Sequence, residues 1–336
     1  MIRICKRTKS KRIIRNYPLN VKDKEKSFFD DEIEKFIPGT FLVGIKNATI
    51  AGYNIRIFRN FTVFQNHTYF YKLTFIQRLK NVLKGFLDVA KKKDKLYVEK
   101  AIWIIDTGSN NYFHWVADCL TRLVYAKSFL DGHKVLLPTK FKNLPYVSES
   151  LSILNIDILY YKESEEIKVN ELLLPSRNAP TGNYSESILA LRSSLLKSKI
   201  SNQLSEEKIF ISRRKAGKRD LLNEEKVYEL LKKFGFKKIY CEDLEFMQQV
   251  KTFQNCTALV SIHGAGMVNQ MFMPSSSNVL EIRTENNSSD NAFFSLANFF
   301  NHNYFYLNSR YVSTNNKTDL YDISTSELEK LLEADF

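Results

Sequence analysis

The chain has 336 residues, 44% of them hydrophobic, which exceeds one ordinary domain and excludes wholesale disorder. Its formal charge of +13 suits polyanionic partners: phosphorylated substrates, anionic lipid or nucleic acid. That charge is uneven, because residues 1–22 hold no acid, 1–15 alone carry seven Lys and Arg, and a second excess runs over 72–100.

In chain order, residues 41–75 are rich in β-branched and aromatic side chains and predict strands at a sheet edge. A helix is expected over 75–90, with apolar residues at 75, 76, 79, 82, 83, 86, 87 and 90 and with Arg78, Lys80 and Lys84 between them. Such a helix lies on an anionic membrane surface or packs on a domain core with its lysines in water. Apolar strands at 101–106, 134–138, 156–160 and 171–175 alternate with helical patterns, which predicts an α/β sheet. Residues 178–183 read as a loop, and a helix over 185–199 carries the chain to a second domain.

That second domain alternates strictly. Strand 208–212 precedes a helix with Asn223 as N-cap, apolar positions Val227, Leu230, Leu231 and Phe234, and Gly235 as its stop. Strand 238–241, helix 245–254, strand 258–262, a glycine turn, helix 267–272, strand 278–282, helix 291–300 and strand 304–307 follow. Domains of 1–200 and 201–336 are expected, each with a mainly parallel sheet. Residues 252–280 carry no charge, but Gly264, Gly266, Pro274 and Ser275–Ser277 interrupt them, so a buried strand–turn–helix–strand is predicted rather than a membrane span. Cys5, Cys119, Cys241 and Cys256 are too scattered for a disulfide framework or a cysteine zinc site and fit a reducing compartment. No apolar run follows the basic N-terminus, so no secretory signal is expected.

Three groups of residues could carry chemistry. In L-V-S-I-H-G-A-G-M-V-N (259–269) a strand ends, two glycines allow close backbone approach, and a helix opens. Its first amides and positive dipole end make a seat for a diphosphate, with His263 beside it; a plain turn with a structural histidine fits equally. In S-R-R-K-A-G-K-R (212–219) Arg213 directly follows a strand on the same sheet edge, where a guanidinium neutralises a departing phosphate without metal. No D-x-D pair exists to bridge a metal to a diphosphate, so no metal is expected. In N-N-Y-F-H-W-V-A-D-C-L-T-R-L (110–123) His114, Asp118 and Arg122 recur every fourth residue along one helix face. An imidazole beside a carboxylate suits removal of a hydroxyl proton, although a salt-bridge ladder has the same spacing. Glu242 and Glu281, at strand ends, are candidates for a nucleoside ribose, while Asp243 serves as well as a helix cap.

Taken in order, F-H-W-x-x-D-x-L-x-R-L (113–123), I-S-R-R (211–214), N-E-E (223–225), E-D-L-x-F-x-x-Q (242–249) and H-G-A-G-M-x-N (263–269) resemble glycosyltransferase family 61. That family includes plant xylosyl- and arabinosyltransferases, animal protein O-GlcNAc transferases and bacterial polysaccharide enzymes. The resemblance spans about 113–281; Thr121 departs from the proline many relatives carry there. It implies a GT-B fold, two Rossmann-like domains with a cleft between them, and an inverting mechanism without metal or bound cofactor. The nucleotide sugar, expected to be UDP-linked, would sit in the C-terminal domain on Ser212, Arg213, Arg214, Glu242, His263, Gly264, Ala265, Gly266, Asn269 and Glu281. Asp118 or His114 would be the base and Arg122 would lie on the acceptor side. The acceptor would be a glycan or lipid-linked glycan of a surface polysaccharide such as capsule or lipopolysaccharide. The expected location is the cytoplasm, peripheral on the inner face of its membrane. Two rivals are a non-catalytic nucleotide- or carbohydrate-binding protein of the same fold and a polyanion-binding protein. The latter has no zinc-finger spacing or aromatic RNA-recognition signature in its favour.

Overall fold

The computed structural model describes residues 2–51, 56–59, 62–64, 74–91, 94–177, 182–196, 206–284, 290–315 and 318–336. Parts of the edge strands expected within 41–75, of loop 178–183 and of helix 185–199 lie outside those residues. Strands β1 (Ile2–Arg7) and β2 (Lys11–Ile14), a short helix α1 (Asp30–Ile33) and strand β3 (Glu34–Ile37) come first.

Two compact units follow: Met1–Lys11 with Ile37–Pro180 and Ser185–Leu195, and Arg12–Phe36 with Thr181–Tyr184 and Leu196–Phe336. Residues 12–36 therefore belong with the second unit, not with the N-terminal domain expected from sequence. The reason is specific bonding: Leu19 N–H donates to Tyr304 O at 2.9 Å, Asn20 Nδ2 to Tyr306 O at 2.6 Å, and the Phe29 ring packs on Phe294.

The first unit continues with β4 (Phe41–Ala51), β5 (Arg56–Arg59), β6 (Thr62–Val63), α2 (Phe75–Lys91), β7 (Lys95–Ile102), α3 (Tyr112–His114) and α4 (Thr121–Ala126). Then come β8 (Lys134–Pro138), α5 (Pro145–Ile153), β9 (Ile158–Tyr161), β10 (Glu166–Pro175) and α6 (Glu186–Leu196). The sheet runs β6-β5-β4-β10-β7-β8-β9, with β1 also antiparallel to β4. The stretch β10-β7-β8-β9 is parallel, and its strands are buried runs such as Val135–Leu137 and Leu172–Leu174. β7 continues to β8 on one side and has β10, the last strand of this sheet in chain order, on the other, so the carboxyl ends of β7 and β10 are adjacent.

Two expected strands are displaced. β7 ends at Ile102 rather than running over 101–106, because the chain leaves the ladder after Trp103 N–H bonds Leu173 O. β9 starts at Ile158, not Ile156, because Asn155 (φ 58°) turns left-handed to cap α5 and Ile156 N–H closes back on Leu151 O.

The second unit contains β11 (Glu207–Ile211), β12 (Arg219–Leu221), α7 (Glu224–Lys233), β13 (Phe236–Ile239), α8 (Phe246–Gln254), β14 (Cys256–Ile262) and β15 (Asn278–Thr284). It closes with α9 (Ala292–Phe299), β16 (Asn303–Asn315), β17 (Thr318–Asp322) and α10 (Thr325–Asp335). The strand order β13-β11-β14-β15-β16 is parallel throughout, and Phe210, Val260, Ile262, Leu280, Ile282 and Phe305 fill its core. The next strand of this parallel set lies on one side for β11 (β13) and on the other for β14 (β15), a topological switch that opens a crevice outside their carboxyl ends.

Three features differ from expectation. β13 starts directly after Gly235 (φ 86°) and ends at Ile239, so Cys241, expected to end the strand, lies instead in a 3₁₀ turn over 241–243. Residues 265–272 are a 3₁₀ helix rather than an α-helix. The β16–β17 hairpin and α10 were not anticipated from their mixed polar sequence. Asn223 precedes α7 as expected, but its side chain donates to Ile323 O at 2.8 Å rather than capping the helix. Among the described residues no helix is long and apolar enough to cross a membrane, and both sheets belong to mixed α/β units.

Candidate functional site

In each unit the carboxyl ends of the parallel strands carry a cluster of candidate residues. In the first unit the chain leaving β7 turns at Asp106, whose Oδ1 accepts from Gly108 N–H at 2.9 Å and Ser109 Oγ at 3.0 Å. Asn111 then caps the next helix by accepting from Phe113 N–H. That helix widens to π geometry over Trp115–Leu120, and His114 and Asp118, four residues apart, meet on one face. His114 Nδ1 lies 2.8 Å from Asp118 Oδ2. A carboxylate only accepts, so Nδ1 carries the proton and a singly protonated ring keeps its lone pair on Nε2.

Arg177, just beyond β10, was not singled out from sequence. Its Nη2 donates to the same Asp118 oxygen at 3.1 Å, and its Nε lies 3.7 Å from Asp106 Oδ2. Asp118 is only 3% exposed on its side chain and His114 16%, so His114 is the member of the pair that reaches the surface. Arg122 does not share that surface. It is fully buried, 3.9 Å from Asp106 Oδ2, and donates to Pro175 O at 3.1 Å. Its position corrects the expectation of an acceptor-side contact: it braces Asp106 and the end of β10 from within.

In the second unit Arg213 follows β11 and His263 follows β14, on either side of the switch. Gly264 is required by space, since a Cβ there would lie 1.8 Å from Arg213 Nη1. The guanidinium therefore occupies the space a side chain at 264 would need. Arg213 is 8% exposed, and among the described residues no carboxylate pairs with it; burial, with help from the Arg219 charge, pulls its pKa down to about 10. It remains a cation at neutral pH, nearly out of water, attracted by Glu242 and Asp220 but ion-paired with no carboxylate among the described residues, and such a site has standing affinity for an anion. The 3₁₀ geometry ties Met267 N–H to Gly264 O at 2.9 Å, leaving the amides of Ala265 and Gly266 ahead of the first internal bond. Gly266 is packed against Cys241, whose Sγ would lie 3.1 Å from an added Cβ.

His263 sits between two acids. Its Nδ1 is 2.5 Å from Glu281 Oε1, and its Nε2 is 3.5 Å from Asp290 Oδ2. Burial alone would push the ring pKa down, but Glu281 and Asp290 outweigh it and hold it above the ordinary imidazole value. Glu281, fully buried, is not a ribose ligand: its other oxygen accepts from Tyr304 OH at 2.6 Å. Burial raises its pKa, yet His263, Arg283 and Tyr304 bring it below the usual carboxylate range.

The sign of this coupling can be tested. The raised His263 stabilises the fold fully below its unfolded value of 6.5 and loses that contribution as pH rises through the folded value. The lowered Glu281 contributes above its unfolded value of 4.5 and loses its share as pH falls through the folded value. Glu281→Gln should therefore cost about 3–5 kcal/mol of stability near pH 6, the range for breaking a buried pair, and clearly less near pH 9. Denaturant titrations at the two pH values check this; an equal loss at both would disprove the coupling.

Several other motif residues bind one another. Ser212 Oγ donates to Glu224 at 2.9 Å, and Arg214 pairs with Glu225 at 2.7 Å and Glu224 at 3.4 Å. Asn269 is fully buried and donates to Gln249 Oε1 at 2.8 Å, while Gln249 donates to Cys241 O at 3.1 Å. Ser212, Arg214 and Asn269, expected on the donor, thus tie one motif to the next. Glu242 is exposed on the 3₁₀ turn after β13, on the Arg213 edge. Asp243 pairs with Lys215 rather than capping α8, which Glu245 and Gln248 cap instead. Among the described residues no three His, Cys, Asp or Glu gather as a metal-ligand group.

A model of the family described as Glycosyltransferase 61 matches residues 112–280, half of the chain. The matched span includes His114, Asp118, Arg177, Arg213 and His263 but stops before Glu281 and Asp290. No curated protein matches the chain.

Proposed function

The chain belongs to glycosyltransferase family 61, and from that premise we propose an inverting, metal-independent transferase that moves a hexose or pentose from a nucleotide sugar to a glycan hydroxyl. The observation that carries the proposal is Arg213: a nearly buried guanidinium that pairs with no carboxylate among the described residues and lies against Gly264, next in the chain to His263, whose pKa is held above the ordinary imidazole value. In the proposed GT-B organisation the second unit holds the donor and the first serves the acceptor. His114, oriented by Asp118, takes the proton of the acceptor hydroxyl through Nε2. The hydroxyl oxygen forms its bond to the anomeric carbon as the bond to the diphosphate breaks on the opposite face. Arg213, His263 and the Ala265 and Gly266 amides receive the growing negative charge, a role for which they need no metal. Exposed Glu242 is the candidate for the ribose, a UDP sugar the expected donor, and a surface polysaccharide the expected product.

A panel of nucleotide sugars, assayed for released nucleoside diphosphate with and without EDTA, tests the proposal. One donor should be turned over, with unchanged rate in excess chelator. Activity lost in EDTA and restored by manganese would refute the metal-free mechanism. Nucleotide binding without turnover of any donor would instead indicate a non-catalytic binding module.

A further inference from the structure

Helix α2 (Phe75–Lys91) carries five large apolar side chains in solvent: Phe75 at 75% exposure, Ile76 at 64%, Leu79 at 50%, Leu83 at 66% and Leu87 at 58%. Phe75, Leu79, Leu83 and Leu87 recur every fourth residue, so they stack turn upon turn along one face, and Ile76 widens that stripe. At 1.5 Å per residue the 17-residue helix is about 25 Å long. An apolar band of about 18 Å, the span from Phe75 to Leu87, is unusual on a surface facing only water.

Its charge says what it faces. Residues 75–87 contain no acid and three bases, Arg78, Lys80 and Lys84, all exposed. At 100° per residue, Lys80 and Lys84 fall next to Leu87 at the edge of the stripe. The same unit begins with an acid-free strand, β1, which exposes Ile2 and Ile4 among its basic residues. We propose that the apolar stripe of α2, with its bordering lysines, is a docking surface for an anionic membrane leaflet. The apolar side chains enter the boundary between headgroups and acyl chains while the lysines stay at phosphate level. A second copy fits less well, since in face-to-face pairing each of the two helices would bring four basic residues against one acid, Asp88.

Co-sedimentation of the full chain with phosphatidylcholine vesicles, pure or containing phosphatidylglycerol, tests this. Binding should require phosphatidylglycerol and weaken with salt. Leu79→Glu with Leu83→Glu should lower the partition coefficient more than about tenfold while melting temperature and far-UV circular dichroism stay unchanged, because both side chains are exposed. Lys80→Gln and Lys84→Gln should each lower it about fivefold. Phe75→Trp gives a direct readout: the native Trp103 and Trp115 are fully buried, so a blue shift on adding vesicles reports the helix alone. Three results would overturn the proposal: undiminished binding by the folded double glutamate variant, binding lost only when Arg3, Lys6 and Arg7 are neutralised, or a concentration-dependent dimer that the glutamates dissolve without any vesicle binding.

Discussion

Arg213→Ala should lower turnover by about a hundredfold to a thousandfold, the cost of removing one preorganised donor from a developing anion. Nucleoside diphosphate affinity should fall about tenfold to a hundredfold, as expected for one charge-assisted hydrogen bond. Yet the variant should melt no lower than the wild type without ligand. Arg213 is desolvated, close to the like charge of Arg219, and lacks a paired carboxylate among the described residues; removing it relieves a cost. What should disappear is the rise in melting temperature on adding nucleotide. Gly264→Ala supplies an independent check, because the new Cβ would occupy the place of Arg213 Nη1. It should displace the guanidinium and reproduce the affinity loss with the arginine still present. Wild-type nucleotide affinity in both variants would remove Arg213 from the donor seat.

The alternation of strand and helix over 208–307 was legible because each element buries an apolar run whose period is written in the sequence. The turn after β14 was legible as a turn but not as 3₁₀, since Gly264 and Gly266 permit either geometry and the contacts of Arg213 and Cys241 select one. Glu281 was misread for a different reason. Both faces of a central parallel strand are buried, so a glutamate and an arginine two apart in N-V-L-E-I-R-T should have been read as internally paired. Tyr304 and His263, the partners of Glu281, lie at distances along the chain that no local pattern exposes. Arg177 was hidden for a topological reason: only the placement of β10 beside β7 brings it to Asp118. Four of the five recurring motifs pair off as scaffolding, I-S-R-R with N-E-E and E-D-L-x-F-x-x-Q with H-G-A-G-M-x-N. Their order therefore identified the family more securely than it identified ligands.

His114→Gln and Asp118→Asn should both lower turnover by about a hundredfold to ten-thousandfold, with nucleotide affinity unchanged, because both residues lie in the unit proposed to serve the acceptor. The two losses have different origins. Glutamine at 114 removes the basic nitrogen outright. Asparagine at 118 keeps the size of the side chain but can turn an N–H toward Nδ1, which forces the ring's proton onto Nε2, where it blocks abstraction. Arg177 donates to the same Asp118 oxygen, so an asparagine that turns its N–H toward Nδ1 also loses the bond from the arginine. If His114 is the base and Asp118 its orienting partner, the double variant should be scarcely slower than either single one, since a unit once broken cannot be broken again. If Asp118 itself takes the proton, His114→Gln should retain turnover within about threefold of wild type while Asp118→Asn loses it. A third pattern, near-normal turnover in both with a lowered melting temperature, would reduce the pair to a buried ion-pair brace. Turnover, nucleotide affinity and melting temperature on the three variants separate these cases, and the greater exposure of His114 favours the first.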